Sequence, residues 1–250
     1  MRLLITGLSG TLAPVLARVA RAQGHAVLGW DHRSLGFADA RAFDALRPDA
    51  VAHLAMAGAA DSAALAVLAA DRGLPFVVTS TAMVFHHQPD GPHALDDART
   101  AQDGYGLSKI AMEDAVRAAH PRASVVRIGW QIDEQAGGNN MLASLDRWQA
   151  EQGEVAASSA WIPACSFMAD TALALLQLLQ RPGVHHVDSN AQEAWTFDAL
   201  VAALARRFER PHWRLRVHQD YRHDQRLAGG ASWVPPLSAR LGLPRGKPGL

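Results

Sequence analysis

The sequence predicts an α/β fold, a doubly wound parallel sheet with a small substrate-binding lobe formed by the later part of the chain. Two patterns carry this expectation. Short β-branched runs alternate with longer Ala/Leu-rich stretches through the first half, and a glycine turn joins the first such strand to the first helix. Apolar strands separated by helices of this length describe a parallel sheet covered on both faces. Right-handed crossovers wind it into a Rossmann arrangement.

Taken in order, Leu3–Thr6 is the first strand and Ala13–Ala22 the first helix. Gly24 ends that helix before a second strand at Ala26–Trp30. A helix at Ala40–Leu46 and Pro48 precede the third strand, Ala50–Leu54; Ser62–Arg72 and Pro75 precede the fourth, Phe76–Ser80. The helix Tyr105–Ala119 leads to a strand at Ser124–Ile128. After Gly129 the rhythm changes, with a Gly/Asn turn at 137–140 and a helix at Met141–Glu151. Alternation resumes with helix Met168–Gln180 and strand Val184–Val187, and Thr196 is placed to cap a helix at Phe197–Phe208. The expected division is a core over 1–129, completed by 164–188, and a small lobe from 130–163 and 189–250.

Composition narrows the function. A chain of 250 residues accommodates one large α/β domain with a lobe. Its 24 basic and 24 acidic residues balance, so no basic field draws it to nucleic acid or an anionic membrane. The single cysteine, Cys165, forms no internal disulfide, which suits a reducing cytosol. No run approaches the ~20 apolar residues that span a bilayer, and the N-terminus lacks the pattern of a secretory signal. A cytoplasmic protein with a small-molecule partner is expected.

The turn after the first strand, Thr6-Gly7-Leu8-Ser9-Gly10-Thr11-Leu12-Ala13, has the spacing Gly-x-x-Gly-x-x-Ala. Two glycines permit a tight turn and a close approach to a pyrophosphate, and the small Ala13 lets helix and strand pack. N–H groups at the helix start then hold phosphate. Glycines also mark plain turns, but strand, turn and helix occur here in the order a dinucleotide site needs. Asp31 ends the second strand near the ~20-residue interval expected for a ribose-binding carboxylate. Its charge favours NAD, while Arg33 is placed to hold the 2′-phosphate of NADP, so both cofactors stay open.

Tyr105 and Lys109 stand at i and i+4 of one predicted helix, hence on one face. A phenol titrating near ~10 is a slow proton donor and acceptor at neutral pH. A neighbouring ammonium stabilises the phenolate and is expected to bring its pKa down. Hydroxyls of Thr79, Ser80 and Thr81 emerge at the carboxyl edge of the sheet, where ligands of open α/β sheets bind. His86, His87 and His93 lack a completing carboxylate or cysteine, so a surface loop rather than a metal site is expected there. His185-His186 and Cys165 are read as structural, and the tryptophans at 130, 148, 161, 195, 213 and 233 as packing residues of the lobe.

On these motifs the chain resembles the extended short-chain dehydrogenase/reductases, and within them the dTDP-4-dehydrorhamnose reductase-like, sugar-nucleotide-binding group. The glycine motif, Arg47-Pro48-Asp49-Ala50-Val51, Ser80-Thr81-Ala82-Met83-Val84-Phe85 and Tyr105-Gly106-Leu107-Ser108-Lys109 match in order. Val126-Arg127-Ile128-Gly129-Trp130, Gly138-Asn139-Asn140-Met141 and Trp161-Ile162-Pro163 are similar to that group more specifically. The resemblance runs to Arg226-Leu227 and implies an NAD(P)-dependent reductase of a nucleotide-linked keto sugar, working as a homodimer. It implies that Thr81 orients the substrate carbonyl, Tyr105 protonates it and Lys109 binds the nicotinamide ribose. NAD(H) or NADP(H) would lie against Gly7, Ser9, Gly10, Thr11, Leu12, Asp31, His32, Arg33, Leu54, Ala55, Met56, Tyr105 and Lys109. Substrate would meet Thr81, Met83, Trp130, Asn140 and Trp161.

Two departures stand out. Ala82 and Met83 occupy positions where the group carries Asp and Tyr, and the segment between His53 and Phe76 is shorter than the group's. The substrate pocket is therefore expected to differ. Two other functions use the same parts: an epimerase or dehydratase that retains its cofactor, and a non-catalytic NAD(P)-binding subunit or sensor.

Overall fold

A computed structural model describes residues 1–31, 36–135 and 137–243. The chain forms two compact units. The first comprises Met1–Val84, Ala101–Arg127 and Ala172–His185; the second comprises Phe85–Thr100, Ile128–Thr171 and the chain from His186 onward. This division sets 85–100, 128–129, 164–171 and 186–188 with the second unit, where the sequence reading had them in the first.

A six-stranded sheet dominates the first unit. Its strands are β1 (Arg2–Thr6), β2 (Ala26–Trp30), β3 (Ala50–His53), β4 (Phe76–Thr81), β5 (Ser124–Ile128) and β10 (Gly183–Val187), in the order β10-β5-β4-β3-β1-β2. β1 pairs in parallel with both β2 and β3, and β3 with β4. Leu3, Leu4 and Ile5 are all fully buried, as expected for a strand covered on both faces. The helices are α1 (Leu12–Ala22), α2 (Ala40–Leu46), α3 (Ala59–Ala70) and α4 (Gly104–Ala119). α3 packs along α4, and Leu65, Met112 and Val116 join Leu4, Val51, Phe76 and Val78 in one apolar core.

The strand order sets where a ligand can sit. From β1 the chain moves outward to β2, then returns to place β3 on the other side of β1. Consecutive crossovers thus leave in opposite directions, and the carboxyl ends of β1 and β3 flank the switch point where open α/β sheets bind ligands.

One helix starts earlier than its sequence suggests. Ser62 reads as a helix start, but α3 begins at Ala59, with Gly58 as the extended N-cap residue. Ala59 and Ala60 are strong helix formers that carry no amphipathic signal. Ser62 therefore lies in the first turn and faces inward.

In the second unit, short strands from distant segments pair in parallel: β6 (Trp130–Ile132) with β9 (Cys165–Phe167), β7 (Val155–Ser158) with β11 (Leu215–His218), and β8 (Trp161–Ile162) with β12 (His223–Asp224). Helices α5 (Met141–Gln152), α7 (Phe197–Arg207) and α8 (Leu237–Leu241) belong to this unit, while most of α6 (Met168–Leu178), from Ala172 on, belongs to the first. Ile132, Leu145, Cys165, Trp195, Phe197, Leu200 and Leu204 form the second unit's core. Asp188, fully buried, staples three segments: its oxygens accept the backbone N–H groups of Cys165 at 3.0 Å, Asn190 at 2.8 Å and Leu227 at 3.0 Å.

The histidine loop is a correction. His87 is exposed, but His93 is fully buried and stacks on Phe85 with ring centroids 4.7 Å apart. Backbone bonds explain the burial. His93 N–H donates to Arg226 O and His93 O accepts from Ala228, which draws the residue into the interior. Burial pushes the Cys165 thiol well above its ordinary pKa, with the Asp188 charge adding to the effect, so it behaves as a small apolar side chain.

Candidate active site

The turn after β1 is built as its glycines require. Gly7 adopts φ +77°, and a Cβ there would lie 2.8 Å from Ala55 N and 2.9 Å from Leu54 C. Only glycine lets the turn after β1 approach the turn after β3 this closely. Gly10 N–H donates to Gly7 O at 2.8 Å, closing the turn at the start of α1. The first turn of α1 carries no acidic side chain, so the positive end of its dipole meets no carboxylate of its own. Ser9 and Gly10 are exposed there, Thr11 and Leu12 are half-buried, and Ala13 is packed inside. Asp31 is exposed just beyond β2; His32 and Arg33 lie outside the described residues. Leu54 and Ala55 line the facing turn, and Met56 projects with 75% of its surface exposed.

A hydrogen-bonded core fixes the two turns together. Thr6 Oγ1 accepts the N–H groups of Leu54 and Ala55, each at 3.1 Å, and bonds to His53 Nδ1 at 2.8 Å. His53 Nε2 bonds to Ser62 Oγ at 3.0 Å. Sequence reading missed Thr6, His53 and Ser62 in this role. The available signal was a histidine ending a strand otherwise composed of Ala and Val.

The Tyr/Lys pair sits on α4. Asp103 caps the helix, its carboxylate accepting Gly106 N–H at 2.7 Å. Gly106 is buried, and a Cβ there would stand 2.4 Å from Ala101 Cβ and 2.9 Å from Met83 O. This close approach seats the start of α4 on the turn after β4 and brings Tyr105 beside Thr81, whose hydroxyl favours the phenolate. Thr81 Oγ1 also accepts Met83 N–H at 3.1 Å.

The phenol's titration runs against expectation. Although Tyr105 is 42% exposed as a residue, it is raised above its ordinary pKa of 10.0, first by desolvation of the phenol, against the lowering influence of Thr81, with the Asp103 charge raising it further. Lys109 Nζ meanwhile donates to Thr79 O at 3.3 Å. Burial lowers the Lys109 pKa and the Glu113 charge opposes the drop.

Behind Lys109 lies a buried ion pair absent from the sequence reading. Glu113 accepts Arg127 Nε at 3.0 Å on one oxygen and Arg127 Nη2 at 2.9 Å on the other. Ser80 Oγ donates to the same carboxylate at 2.5 Å. The pair is bidentate and nearly dry, with side chains 1% and 5% exposed. Its sequence signal was faint: an acid one helical turn after Lys109.

The remaining candidates belong to the second unit. Trp130 and Trp161 stack with centroids 6.3 Å apart, and Trp161 meets Phe197 at 4.4 Å. Trp161 Nε1 donates to Gln225 Oε1 at 2.8 Å. Asn140 is fully buried and caps α5 by accepting Ala143 N–H at 3.1 Å. Among the described residues no group of three or more His, Cys, Asp or Glu is arranged to hold a metal ion. No helix among them is long and apolar enough to cross a membrane.

A doubly wound sheet with a glycine turn at its switch point and a Tyr/Lys helix beside it defines a Rossmann-type protein of the extended short-chain dehydrogenase/reductase class. Residues 1–216 match the family model described as RmlD substrate binding domain, and the chain belongs to that family. It is 31% identical to a dTDP-4-dehydrorhamnose reductase of Mycolicibacterium smegmatis, over 81% of this chain and 68% of that protein. It is 25% identical to the spore coat polysaccharide biosynthesis protein SpsK of Bacillus subtilis, over 78% of this chain and 75% of that one. The crystal structure of a Bacillus anthracis dTDP-4-dehydrorhamnose reductase in complex with NADP superimposes with a TM-score of 0.80 at 18% identity, over 96% of this chain and 97% of that one. That last likeness shows the shared fold.

Proposed function

We propose that this chain is an NAD(P)-dependent oxidoreductase that reduces the keto group of a nucleotide-linked sugar. The observation that carries the reading is the contact between Tyr105 and Thr81, with Lys109 on the same helix turned into the sheet edge. The named relatives support the substrate class. The glycine turn fits a dinucleotide: the start of α1 offers N–H groups and an unopposed helix dipole to a pyrophosphate, and Asp31 suits a ribose hydroxyl. Gly7, Ser9, Gly10, Thr11, Leu12, Leu54, Ala55 and Met56 are the residues assigned to hold it. When bound, the reduced nicotinamide supplies hydride.

The chain's own residues handle the proton. Thr81 orients the substrate oxygen through its hydroxyl. Tyr105, raised above 10.0, keeps its proton at neutral pH and so is loaded as the acid. As it protonates the new alkoxide, the Thr81 hydroxyl and the Lys109 ammonium stabilise the phenolate left behind. We assign Met83 to the substrate side, where it offers a thioether instead of a polar group. We place the reaction in the cytoplasm, since the one cysteine needs no oxidising compartment.

The test follows oxidation of NADH and NADPH with a panel of nucleotide-linked keto sugars, beside Tyr105→Phe. Turnover that falls by roughly 10²-fold or more in the variant supports the reading. Turnover untouched by the substitution would remove Tyr105 from the chemistry and overturn the mechanism. Tight cofactor binding with no net oxidation would instead point to a redox-neutral epimerase or dehydratase, or to a sensor.

A further inference from the structure

We infer that His53 is a positioning residue for the dinucleotide site, locked as its neutral Nε2–H tautomer by Thr6 and Ser62. The inference rests on the reading that the Gly7 turn holds NAD(P). It follows from counting protons and lone pairs. A threonine hydroxyl has one proton and two acceptor sites. Thr6 Oγ1 receives the N–H groups of both Leu54 and Ala55, each at 3.1 Å, so both sites are filled. Its own proton must therefore point along the remaining bond, to His53 Nδ1 at 2.8 Å. Nδ1 accepts and carries no proton. The neutral ring then bears hydrogen on Nε2, which donates to Ser62 Oγ at 3.0 Å.

Any other state of the ring breaks the turn above it. Hydrogen on Nδ1 would set two donors against each other, and the Thr6 hydroxyl could relieve the clash only by releasing Leu54 or Ala55. No water can take over, because Thr6, His53 and Ser62 are at most 1% exposed. Phe37 meets the ring edge-on at 5.4 Å and Phe76 covers it at 6.1 Å, which fixes its plane. Gly7 leaves no slack on the opposite side, since even a Cβ there would lie 2.8 Å from Ala55 N. The spacing of the two turns that flank the switch point is thus set by one imidazole proton.

The experiment reads the tautomer and the affinity separately. Long-range proton–nitrogen correlation spectra of ¹⁵N-histidine-labelled wild type assign the protonated nitrogen of His53, and the expected signal is Nε2–H. Fluorescence titration then gives the Kd for NADH and NADPH in wild type, His53→Leu and His53→Asn, with thermal unfolding as the control for folding. Leu should weaken binding about tenfold, while Asn, whose amide oxygen replaces Nδ1 as acceptor, should recover most of it. An Nδ1–H or doubly protonated ring overturns the inference, as does a folded Leu variant that binds like wild type. Should His53→Leu fail to fold, Ser62→Ala takes its place: it removes only the Nε2–H acceptor, and unchanged affinity in it overturns the inference. If wild type binds neither cofactor, the functional reading fails and the positioning role fails with it. A correct tautomer in that protein would still show the hydrogen-bond argument sound.

Discussion

At the scale of single residues, Lys109 carries the sharpest conflict, because the role proposed for it needs a charge where burial disfavours one. Its pKa is lowered by desolvation, and the Glu113 charge one turn along the helix opposes that drop. Arg127 and Ser80 satisfy both oxygens of the Glu113 carboxylate in this dry site. Glu113→Gln should therefore act twice. It strands the Arg127 charge, costing about 3–5 kcal/mol of stability, and it lets the Lys109 pKa fall further. The sign is fixed: Lys109 then loses its proton at lower pH, so the alkaline limb of the pH–rate profile moves down. The double variant Glu113→Gln with Arg127→Met removes the stranded charge and should recover much of the stability, yet keep the displaced limb. Denaturant unfolding and pH–rate profiles of both variants check this; a limb that returns with stability would assign Glu113 a structural role alone.

At the scale of elements, the geometry of the proposed Tyr105/Thr81 site depends on how closely α4 approaches the turn after β4. Gly106 makes that approach, since a Cβ would meet Ala101 Cβ at 2.4 Å and Met83 O at 2.9 Å, neither at the end of a flexible side chain. Gly106→Ala should cost roughly 1–3 kcal/mol from overpacking, despite alanine's better helix propensity. It should also lower turnover by pushing Tyr105 away from Thr81. Unfolding midpoints and steady-state rates read the two effects, and a variant as stable and active as wild type would show that the helix start can shift freely. Elements of this kind were largely legible in the sequence: β2 and β5 have the expected bounds, and β1, β3 and β4 differ by one residue at one end. Their apolar runs and the Gly and Pro residues between them are local signals. The pairings β6 with β9 and β7 with β11 were not legible, because short strands joined from distant segments leave no local pattern. The candidate site divided the same way. Its glycines and Tyr/Lys pair stand in local spacings, whereas His53 with Ser62 and Glu113 with Arg127 become partners only through packing.

At the scale of the whole molecule, buried titratable groups in the second unit give the fold a pH dependence with opposing parts. His223 is 3% exposed, and burial, aided by the charges of His86 and His93, lowers its pKa from 6.5 to about 4. Asp224 and the Gln88 backbone oppose this drop, and Tyr221 hydroxyl bonds to Nδ1 at 2.9 Å. His93 is lowered by burial too, against the Asp97 and Asp224 charges. Between these values the unfolded chain takes up the His223 proton and the folded one does not. Stability is therefore lost as pH falls from 6.5 toward 4, by roughly 3 kcal/mol for this group. Asp188 runs the other way. Burial raises its carboxyl from 3.8 to about 7, against the pull of its backbone N–H donors and Arg226, so its contribution is present at low pH and fades as pH rises toward 7. Wild type should thus lose less on acidification than His223 alone dictates. His223→Gln separates the parts: unfolding free energies measured from pH 4 to pH 7 should fall less steeply with acid in the variant than in wild type. Parallel curves for the two proteins would mean that His223 is protonated alike in the folded and unfolded chains.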